Sequence, residues 1–176
     1  MYVAINKNPN RNRVINPIFN RAINPNFNRT INPNFNRTIN PNFNRTINPN
    51  FNRTINPNFN RTVNPNFNRT INPNFNRTIN PNFNRTINPN FNRNYSGLFL
   101  FNSSMNTTGF AIVSADGRVL ILYNENLIND RIGIRHPQNG FSIFNMQMRY
   151  VGHFESNSQN GYNQFDSNNN WIGTVT

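Results

Sequence analysis

Cysteine is absent from this 176-residue chain, so disulfide staples, thiolate nucleophiles and sulfur-ligated metals are excluded. Acidic residues are nearly absent as well: five Asp and Glu stand against 17 Lys and Arg, giving a formal net charge of +12. Only 12% of residues are charged in all. No apolar run approaches the roughly 18 residues that a membrane-spanning helix needs. The opening residues Met1-Tyr2-Val3-Ala4-Ile5-Asn6-Lys7 lack a charged segment followed by an apolar one. A conventional secretory leader is therefore not expected, and the chain is placed in the cytoplasm or exported by a non-classical route.

What is abundant is asparagine, together with 17 Phe and 12 Pro. The charge is also unevenly placed. Residues 1–94 hold thirteen basic side chains and no acidic one, whereas residues 95–176 hold four Arg against five acidic groups. The whole imbalance therefore sits in one half, as expected of an interaction arm. Two domains follow: an Asn-Pro octapeptide repeat array over 1–94, and a second domain over 95–176.

The array consists of eleven units with Pro at the third position, from Pro9 to Pro89. Residues 23–30 read Ile-Asn-Pro-Asn-Phe-Asn-Arg-Thr and recur almost unchanged; Val63 stands for Ile once, and Ile18 and Ala22 mark a degraded early copy. Each unit divides into two tetrads, so the apolar period is four, which fits neither an α-helix nor a simple strand. Proline every eight residues forbids a long helix. Asn-Pro-Asn-Phe is a type I turn candidate, and Asn-Arg-Thr-Ile repeats it without the proline. The stretch is similar to the Asn-Pro-Asn-Ala repeats of the malaria circumsporozoite protein, which implies local turn geometry. Two architectures are open: a β-turn solenoid of 16-residue coils with Ile and Phe inward and Asn ladders at the corners, or a flexible turn-rich array.

Past Tyr95 glycines appear and short apolar runs alternate with turns. Ser96-Gly97, Asp116-Gly117, Asn139-Gly140 and Asn160-Gly161 introduce four units, each with an inner glycine: Gly109, Gly133, Gly152 and Gly173. Each unit carries an aromatic followed by Asn or Asp: Phe101-Asn102, Tyr123-Asn124, Phe144-Asn145 and Phe165-Asp166. Four β-hairpins with pseudo-four-fold repetition are expected, sharing one core because isolated hairpins are marginal in water. The pattern Ile143-Phe144-Asn145 through Tyr150-Val151-Gly152, echoed at Phe165-Asp166 and Trp171-Ile172-Gly173, resembles the bacterial four-fold β-flower proteins. That resemblance covers about residues 97–176 and implies a fold of four hairpins about an axis, a bacterial origin and no activity. The fold class expected for the whole chain is all-β, with the hairpin domain capping the square end of the solenoid.

Catalytic chemistry finds little support. His136 and His153 lie 17 residues apart without a second ligand at metal spacing and read as solvated or packing residues. Asp116 and Asp166 fall at turns, and Glu125, Asp130 and Glu155 make no recognisable pair. No phosphate loop, nucleophile elbow or zinc signature is present. No enzyme activity, cofactor or small-molecule substrate is expected. The expected function is a structural or scaffold protein, with the array as spacer or fibre and the hairpin domain as cap or interaction head; self-association into fibres fits that role. The alternative is a polyanion-binding module for nucleic acid, acidic polysaccharide or cell envelope. Its contacts would be Arg21, Arg29, Arg37, Arg45, Arg53, Arg61, Arg69, Arg77, Arg85 and Arg93. Eight Asn-X-Thr patterns, from Asn28 to Asn84, are also potential glycan acceptors.

Overall fold

A computed structural model describes residues 12–93 and 98–176. The turn expected at Ser96-Gly97 and the change of texture at Tyr95 lie outside the described residues. Eight antiparallel strands follow one another: β1 Leu98–Asn102, β2 Thr107–Val113, β3 Val119–Asn124, β4 Asn129–Arg135, β5 Phe141–Asn145, β6 Tyr150–Ser156, β7 Tyr162–Asp166 and β8 Trp171–Val175. They pair in sequence order, and β1 closes on β8 to complete a barrel. The described chain is all-β, as expected, and its strands form four hairpins.

The four hairpin tips share one device. Asn102, Asn124 and Asn145 each use the side-chain Oδ1 to accept backbone N–H groups two and four residues on, and Asp166 does the same. An acceptor of this reach closes a tight turn without glycine. The third residue past each acceptor is left-handed: Met105, Leu127, Met148 and Asn169, with φ between 59° and 63°. The opposite end is turned at Asp116-Gly117, Asn139-Gly140 and Asn160-Gly161, as the sequence suggests.

Each hairpin also carries one bulge, after Leu100, Leu122, Ile143 and Gln164. The register corrects one reading of the sequence. Gly109, Gly152 and Gly173 occupy equivalent places just beyond the bulge, but in the second hairpin that place is held by Arg131, opposite Leu122. Gly133 lies two residues further along, opposite Leu120. Gly133 stands ten residues past its aromatic where the other three stand eight past theirs, so it is a glycine in a different role, and the bulges recur regularly.

Alternation along the strands separates two apolar layers. Leu100, Leu120, Leu122, Phe141, Ile143, Phe154 and Val175 cluster inside the barrel. Their neighbours Phe99, Phe101, Phe110, Ile112, Val119, Ile121, Tyr123, Ile132, Ile134 and Phe144 form a second cluster, which includes Val63, Ile71 and Ile79 of the array. The array therefore covers the outer wall of the barrel.

It does so by lying along the barrel rather than ending on it. The carbonyls of Ile15, Ile31, Ile55 and Ile87 accept from Thr176 Oγ1, Asn163 Nδ2, Ser142 Oγ and Tyr123 Oη at 2.9–3.2 Å. The side chains of Asn26, Asn42 and Asn66 donate to the tip carbonyls of Ser103, Asn169 and Met148. The array thus visits the first, fourth and third hairpins in turn, then reaches the second, and runs as a belt around the wall.

Within the belt no strand forms among residues 12–93; the backbone is a chain of turns. Residues 31–38 show how. Asn32 O accepts from Phe35 N and Asn36 N, while Asn32 Oδ1 accepts from Asn34 N. Asn36 O accepts from Ile39 N at the longer distance of 3.4 Å, and Asn36 Oδ1 accepts from Thr38 N and Thr38 Oγ1. The two Nδ2 groups donate backward to Pro25 O and Thr30 O, seven and six residues away. Asparagine is the residue that can do this, because it joins an acceptor and a donor on a stem too short to wander. Aspartate would lose the donor, and glutamine the tight closure.

These bonds span six and seven residues, so the recurring unit is the octapeptide. The stacked 16-residue β coils anticipated from the sequence are not what joins neighbouring units. Nor do Asn side chains pair into corner ladders; they bond to backbone. Phe does not point inward either. Ile31 and Ile55 are fully buried, whereas Phe19 and every later array Phe are 50–61% exposed.

Candidate polyanion-binding face

The outward side of the belt brings the expected arginines together with these phenylalanines. The guanidinium of Arg21 lies 4.4 Å from the ring centroid of Phe27, six residues on in the next unit. The same pairing recurs for Arg29, Arg37, Arg45, Arg53, Arg61, Arg69, Arg77 and Arg85 at 4.3–4.8 Å. Arg13 over Phe19, at 5.1 Å, extends the series by one position that sequence reasoning left out. Arg93 is exposed but has no array Phe six residues beyond it.

The pairing follows from the turn geometry. Asn28 of each unit turns the chain so that Arg29 and Thr30 leave on the solvent side, and the backward bond of Asn36 to Thr30 sets the next Phe beside that Arg. A guanidinium over an aromatic face is attracted by the ring quadrupole, worth roughly 0.5–1 kcal/mol at exposed sites. It is also weakly hydrated and keeps its donors at the rim, free for an anion. Among the described residues no carboxylate forms an ion pair with any array arginine; the ion pairs present are Arg131 with Asp130 and His136 with Glu155. Between neighbouring units lies a shallow cleft of about 560 Å³, lined by Arg69, Thr70, Phe75, Asn76 and Arg77.

The Asn-X-Thr patterns receive a conformational explanation here. In all eight, the Thr hydroxyl donates to the Asn Oδ1 at 2.6–2.8 Å. The threonine locks the weaker of the two turns.

A second polar group sits beneath the belt, where the sequence suggested isolated residues. His136 and His153 are buried, at 2% and 0% exposure, and neither is solvated. His136 Nε2 lies 3.2 Å from Glu155 Oε1, and Tyr150 Oη lies 3.1 Å from His153 Nδ1. His153 also stacks on Phe165, with centroids 5.2 Å apart. The sequence distance between His136 and Glu155 hid this pairing; β6 running back past the β4–β5 turn creates it. Among the described residues no three His, Asp or Glu side chains are disposed to hold a metal ion.

Burial and the neighbouring His136 push the His153 pKa down from 6.5 to about 3, while burial raises the Glu155 carboxyl above 4.5 in spite of its His136 partner. The stability consequences have opposite signs. His153 contributes fully above pH 6.5, and that contribution is lost as pH falls toward 3. Glu155 contributes fully below pH 4.5, and its contribution is lost as pH rises through the folded value. Each slope is about 1.4 kcal/mol per pH unit. Stability should therefore fall toward acid pH through His153, and decline with rising pH above 4.5 through Glu155 up to its raised folded value. Glu155→Gln should remove that decline, so that its melting temperature relative to the parent rises as pH increases above 4.5. A difference between the two melting temperatures that is the same at every pH would show that burial does not raise the Glu155 pKa.

At the loop end of the barrel a cleft of about 450 Å³ is lined by Arg135, Asn139, Ser156, Ser158, Asn160, Gly161 and Tyr162. Its one charged side chain, Arg135, donates to Gly117 O and lies over Phe141. Among the described residues no helix is long and apolar enough to cross a membrane. No family model, curated protein or solved structure matches the chain.

Proposed function

We propose that this chain is a non-enzymatic polyanion-binding module whose belt presents arginine as a continuous outward-facing series. The supporting observation is that ten guanidinium groups, Arg13 to Arg85, are exposed, stacked on Phe and without a carboxylate partner. Stacking contributes roughly 0.5–1 kcal/mol per pair to the belt itself and also holds each guanidinium in one place. Fixing it removes rotamer freedom before the ligand arrives, which lowers the cost of binding. A structural role for the array stands beside this reading, since its Ile residues complete the wall of the barrel. The closed ring of four hairpins is compatible with the resemblance to four-fold β-flower proteins.

Ionic strength tests the reading. The full chain should bind heparin or DNA at low salt, and log K should fall linearly with log salt, with a slope of about −0.7 per contacted phosphate for a single strand. Replacing Arg53, Arg61 and Arg69 by Gln should lower that slope by about 2. Absence of binding at low salt would end the proposal.

A further inference from the structure

We infer that the belt is built for single-stranded nucleic acid in particular, with bases stacking on the exposed phenylalanines and phosphates held by the intervening arginines. This inference rests on the polyanion reading above and narrows it.

Phenylalanine decides the matter. An array needing only charge on its surface would expose polar residues at the fifth position of each unit, and a packed array would bury them. Instead Phe27, Phe35, Phe43 and their successors are 56–61% exposed even with a guanidinium resting against each ring. Flat apolar faces and fixed cations thus alternate along one strip of surface. That alternation matches a chain in which planar apolar bases alternate with anionic phosphates. A duplex keeps its base faces within the stack and offers the strip only phosphates. An acidic polysaccharide offers charge without aromatic planes.

The sixth-position asparagines of the strip are poorly placed to read a base. Reading a base requires free donors and acceptors at its edge. The amide of Asn76, on the floor of the cleft between Arg69 and Arg77, is already committed: Nδ2 donates to Thr70 O, and Oδ1 accepts from Thr78 N and Thr78 Oγ1. The equivalent Asn of the other central units is committed in the same way. Stacking and charge are what the Phe–Arg pairs supply, and both accept any base.

The test compares three probes on the full chain at one low salt concentration: a short labelled oligothymidylate, a DNA duplex of equal length, and heparin. The parent is compared with a variant carrying Phe59→Leu, Phe67→Leu and Phe75→Leu, which keeps the apolar bulk and removes the aromatic faces. The parent should bind the single strand most tightly, and the variant should lose at least about ten-fold for the single strand. Heparin binding by the variant should fall by much less, since only the fixing of Arg53, Arg61 and Arg69 over their rings is lost. Equal binding of all three probes, with no loss in the variant, overturns the stacking inference and leaves the polyanion reading standing. An equal loss for all three probes also overturns it, because Phe would then serve only to place Arg. Failure of every probe to bind the parent removes both readings.

Discussion

A chain shortened to residues 95–176 should not behave as a soluble, folded monomer. Removing the belt uncovers ten large apolar side chains on the barrel wall: Phe99, Phe101, Phe110, Ile112, Val119, Ile121, Tyr123, Ile132, Ile134 and Phe144. Each contributes roughly 1.5–3 kcal/mol when fully buried, so even half of that total is as large as the net stability of an ordinary small domain. The uncovered wall would also form one contiguous apolar patch, far larger than soluble monomers carry. The shortened chain should therefore elute as large aggregates, bind a hydrophobic dye strongly and lack a cooperative melt. Single substitutions can grade the effect: Ile71→Asp, which places a charge in the shared core, should destabilise the full chain by several kcal/mol. Monodisperse, cooperatively melting 95–176 would show that the barrel wall tolerates water and that the belt is an accessory.

This dependence was partly written in the strands. Phe99-Leu100-Phe101 and Val119-Leu120-Ile121-Leu122 are unbroken apolar runs, the pattern of strands buried on both faces. A hairpin ring with a solvated outer wall would alternate apolar and polar residues, so those runs already called for a cover. The four tips, the turn at Asn-Pro-Asn-Phe and the weaker turn after it were legible from Asn and Pro chemistry, which acts locally. The choice between Ile and Phe for the buried position was not, because both are apolar and share the same period. The partners decide it: Phe offers a face to the Arg six residues back, and Ile offers none. Coil size was hidden as well, since the backward bonds of Asn32 and Asn36 are invisible until the units lie side by side. The His136–Glu155 contact depends on strand register, which no local signal carries.

Gly173→Ala should be among the most damaging single-methyl changes available in this chain. A Cβ built at Gly173 would lie 2.0 Å from Phe101 O and 3.1 Å from Asn102 Cα, both backbone atoms. Backbone cannot yield as a side-chain tip can, so β8 would have to move away from β1. Those two strands make the closing seam of the barrel, through Asn102 with Gly173, Phe101 with Thr174 and Leu100 with Val175. Opening it would also disturb Gln164, whose Nε2 donates to both Phe101 O and Thr174 O inside the barrel. A loss of roughly 3–5 kcal/mol is expected, from backbone displacement combined with broken buried hydrogen bonds. Gly109→Ala and Gly152→Ala meet the carbonyls of Tyr123 and Phe165 at 2.1 and 2.2 Å and should cost similarly. The second hairpin supplies the control, because Arg131 already occupies the equivalent place with a Cβ. Its neighbour Asn129 uses Nδ2 to hold Leu122 O and Arg131 O, whereas Trp171 at the same place in the fourth hairpin donates from Nε1 to Gly173 O. Arg131→Ala should therefore cost less than about 1 kcal/mol, since only a half-buried charge paired with Asp130 is lost. Chemical denaturation of the four variants separates the cases. If Gly173→Ala melts with the parent, the bulges do not set the close approach of the strands, and the glycines fill no steric need.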